Sequence, residues 1–342
     1  MAHRIKKTLF YHSKTMGSRL KNLLIAKLIR LMAKTTFDRS PVGLVHTFLN
    51  VLATIFFSHF SQFYSVASAE YLSEKILGVR EERFARLMIL NKLMSKYIQI
   101  ALHDMSWKQT LSFLDRNCKV ITGGQHKPAK LLLCTHTGDY WLAILGAARQ
   151  YQGSGCDFIV PVYQAITDDL QQMYNKISIP GVNIIFINIH QKGMLLKLNR
   201  SLRDEDSVVA IFYDLFGYSA GVYNGATESV EFFNKKGQMT TGIVNVAKRL
   251  GLAVSFVSCF YASEEEKYLV EITPPVQLTE TQEATKGMLA FLEGYLRTTP
   301  WQWSFISSLD AYYHLSLFSL NAKNSREASH FARLNDKYSH RL

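Results

Sequence analysis

The fold is decided by one stretch of sequence, Leu131-Leu132-Leu133-Cys134-Thr135-His136-Thr137-Gly138-Asp139-Tyr140-Trp141. An apolar run ends at a histidine, and a glycine and an acid follow before an apolar helical pattern begins at Leu142. This order predicts a strand, a tight turn and a helix. His136 is then expected at the carboxyl end of a strand, which is the edge where open α/β sheets bind ligands.

His136 is the first candidate for chemistry in this turn. A histidine at such an edge can take a proton from a hydroxyl group, and a carboxylate can hold the imidazole in the required tautomer. Asp139 follows three residues later, and in a first helical turn two side chains at this spacing share a face. A buried structural histidine beside an ordinary helix-start acid has the same local pattern, so the His136–Asp139 dyad is a hypothesis.

Strand and helix patterns alternate regularly after residue 130. Apolar runs predict strands at 131–135, 158–163, 182–187, 208–213, 230–233, 253–261 and 268–272. Helical patterns lie between or after them at 168–177, 192–202, 240–250 and 281–296. The expected fold class is α/β, with a largely parallel sheet flanked by helices, and with helices at 70–109 before the sheet.

Charge divides the chain into three parts. The formal net charge is +12, but residues 1–39 carry ten Lys and Arg against one acid, and residues 323–342 carry five against two. A basic end on a neutral body predicts an anionic surface as partner. No zinc finger, aromatic RNA-binding motif or basic zipper is present, so we expect a membrane rather than nucleic acid.

Residues 40–69 contain no Asp, Glu, Lys or Arg. This length is sufficient to span a bilayer, but the interspersed polar residues, His46, Asn50, His59, Ser61 and Gln62, are costly in hydrocarbon. A helix half sunk in the membrane, or docked over an acyl groove, fits the pattern equally well. We therefore predict a membrane-associating appendage at 1–69, an α/β domain at 70–322 and a basic tail at 323–342, on the cytoplasmic face of the inner membrane.

Familiar catalytic signatures are missing from the sequence. It has no G-x-S-x-G, no P-loop, no dinucleotide fingerprint and no H-E-x-x-H, so neither a bound cofactor nor a metal is expected. Besides His136 and Asp139, the remaining candidates are Asp214, which follows the apolar run 208–213, and Lys176 and Lys192. A turn-forming aspartate and solvated helix lysines are the ordinary interpretation of these three.

The order of short motifs resembles the late lipid A acyltransferase branch of the lysophospholipid acyltransferase superfamily. The motifs are His136-Thr137-Gly138-Asp139, Lys176, Lys192-Gly193-Met194, Asp214 in Tyr-Asp-Leu-Phe, Phe232-Phe233-Asn234, Met239-Thr240-Thr241-Gly242 and Pro300-Trp301-Gln302-Trp303. The resemblance implies acyl transfer from a thioester, carried by acyl carrier protein or coenzyme A, to a hydroxyl or amine of lipid A or a related glycolipid. It also implies His136 as general base, Asp139 as its orienting acid, and Lys176, Lys192 and Asp214 as substrate-binding residues.

Three positions depart from that family pattern. Trp141 stands where the family has its acid, Lys176 replaces an arginine, and Ser304-Phe305-Ile306 replaces a basic pair. Lysine lacks the bidentate grip of arginine, so the donor or the acceptor need not be the usual one. Transfer of an aminoacyl group such as glycine from a carrier protein, and a non-enzymatic membrane-associated scaffold, stay open as alternatives. Asp214 also stays open as a partner that approaches His136 in space.

Overall fold

The computed structural model describes residues 22–37, 39–124, 128–162, 166–189, 191–214, 218–219, 222–223, 227–278 and 280–313. The helices are α1 (22–36), α2 (Val42–Ile55), α3 (Phe57–Phe63), α4 (Val66–Leu72), α5 (Phe84–Asp104), α6 (Trp107–Asn117), α7 (Tyr140–Arg149), α8 (Asp168–Lys176), α9 (Met194–Arg203), α10 (Gly242–Leu250) and α11 (Thr281–Leu296). A π-helical turn (Ser73–Leu77) and two 3₁₀ segments (Pro300–Gln302 and Ile306–Tyr313) complete the helical elements of the described ranges.

The strands are β1 (Cys118–Thr122), β2 (Leu131–Cys134), β3 (Cys156–Val162), β4 (Val182–Asn188), β5 (Ser207–Phe212), β6 (Tyr218–Ser219), β7 (Val222–Tyr223), β8 (Thr227–Phe232), β9 (Lys235–Thr240), β10 (Ala253–Ala262), β11 (Lys267–Ile272) and β12 (Val276–Gln277). The main sheet has the order β1-β11-β10-β2-β5-β3-β4, with β12 paired to β10. Its pairs are parallel except β10 with β11 and β10 with β12.

The predicted fold class is confirmed: helices flank a mostly parallel sheet. β2 lies in the middle of this sheet, and all four of its residues are buried, which explains its uninterrupted apolar sequence. Some features differ from the sequence-based expectation: the structure adds the strands β1, β6, β7, β9 and β12, and α10 begins later than predicted. β1 was not predicted, because its residues alternate between half-buried and exposed. Residue 240 ends a strand rather than beginning a helix, because β8 and β9 form an antiparallel hairpin before α10.

The charge-free segment 40–69 folds into short helices instead of one long helix. α2 and α3 are interrupted at Phe56, and α3 and α4 are separated at Tyr64–Ser65, where Ser65 has a φ of +53°. In the described ranges, no helix combines the length and the apolar character that a membrane crossing requires. The predicted membrane-associating appendage stays a prediction, and residues 1–21 and 314–342 lie outside the described residues.

The first helices pack onto the body of the protein. Phe37, after α1, stacks on Phe113 of α6 with ring centroids 4.1 Å apart. The Val42 backbone N–H donates to Asn117 Oδ1 over 2.8 Å, which ties the start of α2 to the end of α6. One side of α1 and α2 therefore belongs to the hydrophobic core, while their other side faces outwards.

Candidate active site

The candidate site lies where two neighbouring strands end. His136 follows β2, Asp214 follows β5, and these strands pair in parallel near the centre of the sheet. The Tyr213 backbone N–H donates to the Cys134 carbonyl over 3.1 Å, so the pairing continues up to Asp214. Because both strands run in the same direction, their carboxyl ends bring His136 and Asp214 together across 78 residues of sequence.

Asp214 holds His136 through both of its carboxylate oxygens. Its Oδ1 lies 2.7 Å from His136 Nδ1, and its Oδ2 accepts the backbone N–H of the same residue over 2.6 Å. A carboxylate partner at Nδ1 places the imidazole proton there and leaves Nε2 as the acceptor. The Asp214 side chain is fully buried, whereas 18% of the His136 side chain is exposed. The pair therefore has an anchored carboxylate and a histidine that a ligand can reach.

Trp303 completes the set of donors around Asp214. Its indole Nε1–H donates to Asp214 Oδ2 over 2.8 Å, and the side chain is fully buried. The backbone also joins this segment to the histidine turn, because the Ser304 N–H donates to the His136 carbonyl over 2.9 Å and Trp303 bridges to Thr137. The Trp-containing motif noted in the sequence thus positions the acid, a role that its spacing did not reveal.

Gly138 allows the turn to lie against β10. Its φ is +55°, and a Cβ built on it would lie 2.4 Å from the Cys259 carbonyl oxygen. Only glycine fits both the left-handed backbone and this approach. The Gly138 N–H donates to the Gln302 carbonyl over 2.7 Å, so the turn is fixed on both sides.

An aromatic collar surrounds the His136 ring. The ring centroids of Phe212, Phe305 and Tyr140 lie 4.2, 4.8 and 5.8 Å from that of the imidazole. Burial raises the pKa of Tyr140 to about 12, so its phenol stays neutral at physiological pH. Charges at the histidine are therefore poorly solvated, and the Asp214 carboxylate is the nearby group that compensates a developing imidazolium.

The predicted contact between His136 and Asp139 is wrong. Asp139 is the N-cap of α7, and its Oδ1 accepts the Leu142 backbone N–H over 3.0 Å. The helix begins only at Tyr140, so His136 precedes it in the turn and the two side chains do not share a helical face. In the described part of the chain the other oxygen, Asp139 Oδ2, has no hydrogen-bond partner. Burial raises the pKa of Asp139 to about 7, against the hydrogen bond from Leu142.

The other positions singled out in the sequence lie apart from the dyad. Trp141 is buried, with its ring centroid 5.8 Å from Tyr174 and 5.6 Å from Phe186. Lys176 is exposed and donates to the His103 carbonyl over 3.1 Å, and Lys192 is exposed in the turn before α9. Neither lysine forms a hydrogen bond or ion pair with the dyad across the described ranges, so their substrate-binding role stays a prediction. The same ranges contain no group of three His, Cys, Asp or Glu that could hold a metal ion.

A cavity of about 510 Å³ adjoins the dyad. Its walls come from α1, α3, α5 and the start of α7. Tyr140 and Ser304, which contact His136, also line it. Lys92 of α5 also lines it, and burial lowers the pKa of this lysine to about 8. The sequence analysis did not single out Lys92. The signal that could have found it is its place between Asn91 and Leu93, which are buried positions of α5.

Comparison with known families gives a match over one part of the chain. Residues 188–309 match the model of the bacterial lipid A biosynthesis acyltransferase family, and this confirms the resemblance inferred from the motifs. The matched residues include Asp214 and Trp303, whereas His136 precedes them. None of the curated proteins compared matches the chain. The family match supports acyl transfer as the general activity.

Proposed function

We propose that this protein transfers an acyl group from a thioester, on acyl carrier protein or coenzyme A, to a hydroxyl or amine of lipid A or a related glycolipid. The observation that carries the proposal is that Asp214 accepts hydrogen bonds from both Trp303 Nε1 and His136 Nδ1. Such an arrangement prepares Nε2 to act as a general base, and the family match supplies the reaction class.

The proposed reaction needs one proton carrier. His136 Nε2 takes the proton from the acceptor hydroxyl or amine while that atom attacks the thioester carbonyl carbon. When the carbon–sulfur bond of the tetrahedral intermediate breaks, the leaving thiolate takes the proton from His136, and the enzyme returns to its starting state. Asp214 stabilises the transient imidazolium, and the aromatic collar reduces competition from water. The proposal includes no metal and no covalent enzyme intermediate.

Membrane attachment is part of the same proposal, because a lipid acceptor has to be reached at a surface. One stripe of α2 exposes Leu44, Phe48, Val51 and Ile55, at the spacing of successive helical turns. The neighbouring α1 exposes the cations Lys27, Arg30 and Lys34. Apolar side chains beside basic ones are typical of helices that lie in an anionic membrane interface. We place the protein on the cytoplasmic face of the inner membrane.

Purified full-length protein incubated with a lipid A acceptor tests the activity. Long-chain acyl and glycyl thioesters of a carrier protein are supplied in separate reactions, and the lipid products are measured by mass spectrometry. We expect acyl transfer in the wild type and a loss of about 10²–10⁴ in turnover in His136→Ala. If only the glycyl group were transferred, the donor would be an aminoacyl thioester, and the role of His136 as general base would be unchanged. Full activity of His136→Ala would refute the mechanism.

Sedimentation with lipid vesicles tests the attachment. We expect the wild type to bind vesicles of anionic phospholipid more strongly than zwitterionic ones, because the exposed charges of α1 are basic. Leu44→Ser combined with Ile55→Ser should weaken binding by about tenfold or more, since each side chain would lose apolar burial. Leu196→Ser of α9, which is 66% exposed like Ile55, is the matched control. Equal loss in the control would refute α2 as the attachment surface.

A further inference from the structure

The cavity beside the dyad has an unbalanced charge. Two lysines, Lys92 and Lys96, line it, and no carboxylate lines it in the described part of the chain. They lie four residues apart on α5, a spacing at which like charges repel each other on one helix face. Lys96 is exposed and donates to Gln99 Oε1 over 3.4 Å, whereas Lys92 is mostly buried. A cavity lined by these two cations and by no carboxylate among the described residues is suited to a ligand that brings negative charge.

Lys92 makes this argument specific. Its side chain is mostly buried, and its ammonium group donates to the Ser304 carbonyl over 3.2 Å. No ion pair of Lys92 occurs among the described residues, and burial lowers its pKa to about 8 because the charged form is poorly solvated. A mostly buried cation without a counter-charge is costly even when it donates to a carbonyl, and an anion bound beside it would reduce that cost.

One part of the remaining lining is apolar, beside the polar side chains of Asn22, Asn91, Ser95 and Gln99. Side chains of α1, α3, α5 and α7 form this part: Ile25, Ala26, Ile29, Phe60, Leu93 and Trp141. A volume of about 510 Å³ is in the usual range of ligand sites. The cavity can therefore hold a group with one anionic end and one apolar end. It does so within reach of the catalytic turn, because Ser304 bonds to both Lys92 and His136.

We propose that this cavity binds the phosphate ester of an amphiphilic substrate, with Lys92 and Lys96 on the phosphate and the apolar wall on the adjoining chain. A phosphate ester carries one to two negative charges near neutral pH, which the two ammonium groups balance. The inference rests on the proposed function in one respect, since the phosphate belongs either to the lipid acceptor or to the phosphopantetheine arm of the donor carrier.

Direct binding to the purified full-length protein distinguishes these sources. The probes are a lysophosphatidic acid, the monoacylglycerol with the same chain, and 4′-phosphopantetheine, and affinity is measured by calorimetry at constant ionic strength. We expect the lysophosphatidic acid or 4′-phosphopantetheine to bind, and the monoacylglycerol to bind at least about tenfold more weakly than the lysophosphatidic acid if the phosphate is on the lipid. Binding of lysophosphatidic acid assigns the phosphate to the acceptor, and binding of 4′-phosphopantetheine alone assigns it to the donor.

Variants of Lys92 test the contact itself. Lys92→Met keeps the length of the side chain and removes the charge, and it should weaken binding of the phosphate probe by about ten- to a hundredfold. Lys92→Arg should retain most of the affinity. Lys119→Met is the matched control, because Lys119 is exposed on β1 and pairs with Glu265, and neither residue lines the cavity. Unchanged binding in Lys92→Met, or equal loss in Lys119→Met, would overturn the inference.

The pH dependence gives an independent readout. Affinity for the phosphate probe should fall as the pH rises above about 8, where Lys92 loses its charge. The other titratable groups of the lining are Lys96, Tyr64 and Tyr140, and burial raises the pKa of both tyrosines to about 12. Phosphate binding without any transferase activity would refute the proposed function and leave this inference intact. Transferase activity that is insensitive to Lys92→Met, together with no binding of the phosphate probe, would refute this inference and leave the proposed function intact.

Discussion

Asp139 and Asp214 are both fully buried, and both follow strands that pair with each other, yet their surroundings differ. Asp214 receives three hydrogen bonds, two from His136 and one from Trp303. Asp139 receives the N-terminal backbone N–H of α7, and its Oδ2 lacks a hydrogen-bond partner within the described ranges. Donors around a carboxylate stabilise its charged form, so the kind of donor separates the carboxylate that holds His136 from the carboxylate that caps a helix.

The largest expected effect separates the two aspartates directly. Asp214→Asn replaces an acceptor of the Nδ1 proton by an amide and should lower turnover by about 10²–10⁴, because the imidazole loses its required tautomer and its counter-charge. Asp139→Asn keeps an N-cap side chain and should leave turnover within about threefold of the wild type. The measurement is initial-rate lipid modification, with circular dichroism to verify folding of both variants. The opposite ranking would restore the His136–Asp139 dyad.

Trp303→Phe sharpens the same comparison with a smaller change. The phenyl ring keeps most of the packing volume but cannot donate to Asp214 Oδ2, which then retains only the His136 backbone N–H. Loss of a hydrogen bond to a charged group costs about 1.5–3 kcal/mol, so we expect turnover to fall by about ten- to a hundredfold if the loss falls on the charged transition state.

Trp301→Phe is the control for the Trp303 variant. Trp301 precedes Trp303 by two residues, and its ring packs edge-on against Phe84 of α5 with centroids 6.4 Å apart. Its loss removes aromatic packing without removing a donor to Asp214, and turnover should stay near the wild-type value. A decrease of equal size in both variants would mean that packing of this segment, and not the indole hydrogen bond, supports the dyad.

The sequence predicted the sheet better than it predicted the site. Strand and helix periodicity is local, so the order of elements and the place of His136 at a strand end followed from the residues themselves. The partner of His136 depends on which strands lie beside β2, and one of its two neighbours is β5, which is distant in sequence. Proximity along the chain therefore favoured Asp139, although the helix start uses that side chain as a cap. The cavity beside Lys92 could not be predicted from the sequence for the same reason, since residues of four separate helices form its walls.

The last prediction concerns stability instead of turnover, through the pH dependence that Asp139 confers on it. An aspartate titrates near pH 3.9 in an unfolded chain, whereas burial raises the pKa of Asp139 to about 7 in the folded protein. Between these values the folded state keeps a proton that the unfolded state has lost, so unfolding releases a proton. The contribution of Asp139 to stability is therefore fully present below about pH 4 and is lost as the pH rises to about 7.

Denaturant unfolding of the wild type and Asp139→Asn at several pH values measures this contribution. The asparagine does not titrate, so its stability relative to the wild type should increase between about pH 4 and pH 7 and stay constant above pH 7. Asp139→Ala removes the titration and also the cap, and it should be less stable than Asp139→Asn by about 1 kcal/mol at every pH. A constant difference between the wild type and Asp139→Asn would mean that Asp139 titrates normally. The charged form of Asp139 would then be stabilised in the folded protein by a further donor, and the surroundings of Asp139 and Asp214 would differ less than the described hydrogen bonds indicate.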